Sequence, residues 1–316
     1  MRRFRWFHRP SVAPQGVAPV AQPTSIFVRP QPQAQHNLIV VILDSCRYDT
    51  FVAAAPRIIP QVSGGKVEKR YSYASWTAPS HYNLLTGLMP HVSPPHVFAS
   101  EYYKHDFSNY NQRLGSEGIE FAKFVPALWL PTLLRRTLGY FTHARVSLPV
   151  LNSQTPINVD FDSFQLMDKH NDMAAMLDTL TFSTSRPSFY LLNVGETHYP
   201  YALPDEDPAT WPRISGVHGV FKQLDEESKD GPMLSEAPVP RFFNQERLEV
   251  LRQRQINTVQ YLDKVFAKLY DLVPQDTWII VTSDHGELFG ENGYFGHGPI
   301  NHPLVYEVPF LEGKLR

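Results

Sequence analysis

Three separate stretches of the chain share one design, an apolar run long enough for a buried strand that stops at side chains able to hold a ligand. "NLIVVILD" (37–44) ends in Asp44, and "TWIIVTSDHGE" (277–287) leads into Asp284 and His285. "PSFYLLNVGETHYPY" (187–201) carries its apolar core into Glu196 and His198. Runs that are apolar without alternation suit strands covered on both faces, as in a parallel sheet. In open α/β sheets ligands bind in the crevice outside the carboxyl ends of the strands, so the design places a site before any chemistry is assumed.

Helices fill the intervals. Between 245 and 272, Leu248, Leu251, Val259, Leu262, Val265, Phe266 and Leu269 recur at helical spacing, predicting one long helix packed on the sheet just before the strand at 278. A short helix is expected over 80–88, with Pro79 suited to its first turn and Gly87 as its stop. The fold class that follows is α/β, a largely parallel central sheet flanked by helices on both faces. One domain over 37–316 is expected, with a surface insertion at about 205–244, rich in Pro, Gly, Asp and Glu, of a length common in lids and specificity loops. The Pro- and Gln-rich stretch 1–36, basic at its start, reads as a tail that contacts at most a partner or a membrane surface. "ALWLPTLLRRTLGYF" (127–141) would either meet a hydrophobic ligand or form a buried helix.

The composition, 42% hydrophobic and 19% charged in 316 residues, is that of a globular protein. A net charge of -2 gives no electrostatic case for a nucleic-acid partner. No run reaches the roughly 18–20 apolar residues of a membrane-spanning helix. The single cysteine, Cys46, cannot form an internal disulfide, which together with the lack of a secretory signal leads to the expectation of a cytoplasmic protein.

Asp44, Asp284 and His285 offer two hard oxygen ligands and one imidazole, a set suited to a divalent ion, Zn or Mn first and Mg or Ca after them. Thr77 precedes the short helix, whose first-turn N–H groups and positive dipole end would face an anion beside it. Its hydroxyl either caps the helix or, beside a divalent cation, becomes a nucleophile near neutral pH.

At this point a resemblance enters. "TAPSHYNLLTGLMPH" resembles the sulfatase signature, "VILDSCRYD" resembles the first metal-binding strand, and "VTSDHGELFGENGYFGHG" resembles the Asp-His segment of the alkaline phosphatase superfamily. The pattern is most similar to the threonine-bearing branch of phosphoethanolamine transferases and lipoteichoic acid synthases. That resemblance implies a metal held by Asp44, Thr77, Asp284 and His285, with Thr77 as nucleophile. It implies that His198 and His297 bind the substrate's anionic group or assist the leaving group. Position 77 is Thr where sulfatases carry the Cys or Ser converted to formylglycine, so formylglycine chemistry is excluded, and His81 stands where the signature has an arginine facing substrate.

The reaction expected is transfer or hydrolysis of a phosphoric ester, small or attached to a lipid or glycan, through a phosphothreonine. Sulfuric ester hydrolysis and a catalytically silent, metal-stabilised scaffold are the rival readings. Arg47 would either fork onto a phosphate oxygen or pair with Asp49. One ion is expected, with a second as the alternative, shared by Glu196, His198, His297 or His302, and Arg47, His81, Glu196 and His302 are the candidates for binding substrate.

Overall fold

The computed structural model describes residues 35–92, 99–119, 129–212, 244–298 and 300–315. The expected tail therefore lies outside the described residues up to 34, as does the expected insertion from 213 to 243.

β1 (Leu38–Leu43) and β5 (Ser188–Val194) are buried along their whole length, as is β6 (Trp278–Thr282). They form the centre of a seven-stranded sheet with β2 (Glu68–Tyr71), β3 (Phe141–Val146), β4 (Ser163–Leu166) and β9 (Glu307–Lys314), in the order β2-β9-β6-β1-β5-β3-β4. Pairing is parallel from β4 through β6, and β9 lies antiparallel to both its neighbours. β7 (Leu288–Phe289) and β8 (Phe295–Gly296) form a separate small ribbon.

Strand geometry sends successive side chains to opposite faces, so the apolar run of β1 feeds two cores. Ile39, Val41 and Leu43 pack with Phe51 of α1 (Tyr48–Ala53) and with Val259, Leu262 and Phe266. Leu38, Val40 and Ile42 pack with Leu84 and Leu85 of α2 (Thr77–Leu85) and with Tyr110 of α3 (Ala99–Leu114). Each aliphatic side chain fully removed from water contributes about 1.5–3 kcal/mol, which is why the apolar runs occupy the centre of the sheet. Leu130, Leu133, Leu134 and Tyr140 join the second core, so the buried alternative holds for these residues, while 127 and 128 lie outside the described residues.

Met173–Leu177 (α4) and Gln245–Leu272 (α5) cover the first face. α5 starts where Asn244 accepts a hydrogen bond from the Arg247 N–H at 3.1 Å and ends at Val273, before Pro274. Its buried residues include all seven apolar positions read from the sequence and two polar side chains, Gln255 and Thr258. The short helix begins at Thr77, three residues before its expected start at Ser80, and ends before Gly87, whose φ of 86° suits a residue without a Cβ.

Candidate active site

The parallel register aligns the acids. Ile42 pairs with Thr282, and two residues further along both strands stand Asp44 and Asp284. After Asp44 the chain turns through Ser45 in the left-handed region, φ 60°, which brings the Ser45 N–H to Asp284 Oδ1 at 3.0 Å. The His285 N–H donates to the same oxygen at 2.9 Å. Gln255 of α5 fastens the turns from behind, its Nε2 donating to Ser45 O at 2.9 Å and Thr197 O at 3.0 Å. A helix on one face of the sheet thus holds the turns that end β1 and β5.

Asp44, Asp284 and His285 are buried, and they offer ligand atoms that all lie within 4.8 Å of one another. The His285 ring donates from Nδ1 to Gly286 O at 2.9 Å, which leaves the lone pair on Nε2. That nitrogen lies 3.3 Å from Asp284 Oδ2 and 3.3 Å from Thr77 Oγ1. Asp284 Oδ2 is a buried carboxylate oxygen with no hydrogen-bond donor. Buried polar atoms are nearly always partnered, and an orphaned oxygen facing an imidazole lone pair is what a cation would satisfy. Burial, and then the neighbouring Asp284 carboxylate, push the Asp44 carboxyl above its ordinary range. Burial, and then His297, push His285 down to about 3, so its imidazole is neutral and ready to coordinate. The donor set fits a divalent ion of the kind expected from the sequence.

Thr77 opens α2, where the extended Trp76 is the N-cap and offers no side-chain hydrogen bond. The segment before it is tied to the opposite loop, where the Gly298 N–H donates to Ser75 O at 3.0 Å and the Ser75 hydroxyl donates to Gly298 O. Trp76 itself is half exposed on the rim.

Two histidines form the outer part of the site. The His297 ring centroid is 4.3 Å from that of His285 and 5.7 Å from that of His198. Two residues that sequence reasoning missed hold it there. Glu287, 1% exposed, accepts from His297 Nδ1 at 2.9 Å through Oε1, and its Oε2 accepts from the Tyr201 hydroxyl at 3.0 Å. Although burial works against it, the Glu287 carboxylate raises His297 to about 9, and His297 in turn holds Glu287 below the usual carboxylate range. Tyr201 has φ 57°, a conformation costing a non-glycine residue roughly 1 kcal/mol or more. The signal for Glu287 was in the quoted "DHGE" segment; Tyr201 had none, because its part depends on a backbone turn.

Other candidates point elsewhere. Arg47 donates to Asp49 at 2.7 and 2.8 Å and to Glu291 at 2.6 Å, so its guanidinium is engaged by carboxylates and is not open to a phosphate. His81, expected on the substrate side, is 0% exposed on the buried face of α2, its Nδ1 donating to Thr77 O at 2.8 Å. Glu196 turns to α4 and accepts from the Met173 N–H at 2.7 Å, and burial raises its carboxyl to about 7. His302 accepts from the Leu304 N–H at 3.2 Å as the cap of a short helical turn. Among the described residues, Asp44, Asp284 and His285 are the one group of three or more His, Cys, Asp and Glu side chains arranged for a metal, so these positions assemble no second ion site there.

The family model described as Sulfatase matches residues 36–311, and the chain belongs to that family. Comparison with curated proteins returns no match. Among solved structures, the C-terminal periplasmic domain of EcEptC from Escherichia coli in complex with Zn is similar over 91% of this chain and 75% of its own, at 15% identity and a TM-score of 0.52. BT1596, a 2-O GAG sulfatase, is similar over 89% of this chain and 64% of its own, at 15% identity and a TM-score of 0.51. The soluble domain of lipooligosaccharide phosphoethanolamine transferase A from Neisseria meningitidis aligns over 92% of this chain and 80% of its own, at 11% identity and a TM-score of 0.49. The fold is shared with the EcEptC domain and with BT1596. No helix of the described residues is long and apolar enough to cross a membrane. The cytoplasmic expectation gains no support, since EcEptC has this fold in a periplasmic domain and one cysteine does not fix the compartment.

Proposed function

We propose that the chain is a metal-dependent phosphoric ester hydrolase or phosphotransferase in which Thr77 is the nucleophile. The observation that carries the reading is the orphaned Asp284 Oδ2, buried beside Asp44 and His285 with the Thr77 hydroxyl 3.3 Å from His285 Nε2. Asp44, Asp284, His285 and Thr77 would hold the ion, which supplies Lewis acidity to the hydroxyl and to the ester. Thr77 Oγ1 then attacks phosphorus in line, losing its proton to solvent as the bond from phosphorus to the leaving oxygen breaks. His297, fixed through Nδ1 by Glu287, is left with Nε2 to protonate the leaving oxygen, and His198 adds a second imidazole on the same side. Water or an acceptor alcohol attacks the phosphothreonine in the second step and releases Thr77. The substrate class this serves is an anionic ester, small or carried on a lipid or glycan.

The test is turnover of aryl phosphate, phosphodiester, phosphonate and aryl sulfate esters by zinc- and manganese-loaded protein, with mass spectrometry of acid-quenched samples. A phosphorylated Thr77 peptide, absent from Thr77→Ala, is the expected result. Preference for the sulfate would replace the phosphoryl reading. A protein that binds metal but consumes no ester, and that melts lower as Asp284→Ala, would instead be the scaffold.

A further inference from the structure

β5 carries one polar residue in the middle of its buried run, Asn193, and it is 0% exposed. Burying an amide without partners costs roughly 1–3 kcal/mol, so what it bonds to matters. Its Oδ1 accepts from the N–H groups of Ser147 and Leu148 at 3.2 and 3.3 Å, at the end of β3. Those two donors fix the amide's orientation and send Nδ2 the other way. There it donates to Asp44 Oδ2 at 2.8 Å and lies 3.4 Å from His81 Nε2. Because His81 Nδ1 donates to Thr77 O, its Nε2 carries the lone pair that meets the amide. The bonds therefore run without a break from β3 through Asn193 to the first metal carboxylate, and through His81 to the first residue of the nucleophile helix.

We propose that Asn193 and His81 form a buried strut that sets the Asp44 carboxylate and the Thr77 backbone relative to each other, so that the metal donors and the nucleophile are positioned as one unit. Their polar atoms are spent on protein partners, those of Asn193 on the end of β3 and on Asp44 and Nδ1 of His81 on Thr77 O, so they are positioning residues. The position where the sulfatase signature has an arginine thus serves the inside of the site in this chain. The inference rests on the metal reading above and takes it one layer deeper.

The experiment measures zinc affinity by competition with a chromophoric chelator for wild type, Asn193→Leu, His81→Leu and the double variant. Melting curves of the metal-free proteins accompany it. Outer-layer partners of metal ligands are typically worth ~10–100-fold in affinity, and a loss of that size is expected for each single variant. The double variant should bind no more weakly than Asn193→Leu alone, since both changes break the same link. Should a leucine variant fail to fold, Asn193→Ser and His81→Gln, which keep a polar atom, carry the same cycle. Wild-type zinc affinity in the folded variants, with only the metal-free melting temperature lowered, would overturn the strut while leaving the metal site intact, and so would losses that multiply. A wild-type protein that takes up no zinc would overturn the metal reading and the strut with it.

Discussion

The inner half of the site, Asp44, Asp284 and His285, hangs on strand ends and is closed from solvent, whereas the outer half, His198 and His297, sits on loops that reach it. Backbone N–H groups fix the Asp284 carboxylate and Asn193 of β5 fixes that of Asp44, so both are tied to the sheet. Side chains hold the outer imidazole, and those side chains depend on one another, with Tyr201 bonded to Glu287 and Glu287 to His297. The inner half is thus as rigid as the sheet, while the outer half is as rigid as a relay of two hydrogen bonds.

Substitutions that break this contrast are ranked by size. Asp284→Ala should have the largest effect, lowering zinc affinity beyond the roughly 100-fold seen when outer-layer partners are lost and abolishing turnover of every ester. Isothermal titration and the ester panel check it; retained zinc binding would move the ion elsewhere. Glu287→Ala should slow alkyl phosphates by ~10²–10⁴, the usual worth of a positioned acid, and slow p-nitrophenyl esters far less, because that leaving oxygen needs no proton. Equal losses on both substrates would assign Glu287 to the inner half.

Glu196→Gln sharpens the comparison from a third position, since Glu196 lies beyond both halves. Its folded-state value of about 7 is raised above the ordinary 4.5, so its protonated form is favoured by folding. The stability associated with it is complete below about pH 4.5 and is lost as pH rises through about 7. At alkaline pH the glutamine variant should therefore be more stable than wild type by roughly 3 kcal/mol, an advantage that vanishes near pH 4.5. Melting curves of the two proteins across that range decide it, and a constant difference would contradict the cause. Cys46→Ser should matter least, costing about 1 kcal/mol for a hydroxyl in the core and leaving turnover unchanged. Burial raises the Cys46 thiol far above its ordinary range, and it takes no part in the site.

The same contrast explains what was legible in the sequence. An apolar run that stops at an acid is a local pattern, and parallel pairing converts it directly into position, so the sheet, the long helix and the cluster of Asp44, Asp284 and His285 could be anticipated. The Asp49 alternative for Arg47 is the one the structure shows, but the direction of His81 and Glu196, and the second partner of Arg47, depend on groups that chemical type alone does not reveal. Arg47 meets Glu291 244 residues on, and Glu196 meets Met173 through a helix end packed against its loop. Asn193 was hidden within an apolar run, where a single amide reads as tolerance and not as design. Thr77 was anticipated by type, but the start of its helix was set by Trp76, a residue with no capping side chain to announce it.

The alignment of Asp44 with Asp284 on adjacent strands has one more consequence. Neighbouring strands are held about 4.8 Å apart by their hydrogen bonds, and that lattice constant, rather than any loop, gauges the gap between the two carboxylates. The closeness of the Asp44 and Asp284 donor atoms is thereby set up by the backbone. A change confined to the rim loops would therefore alter what reaches the carboxylates while leaving untouched the aperture written into the weave beneath them.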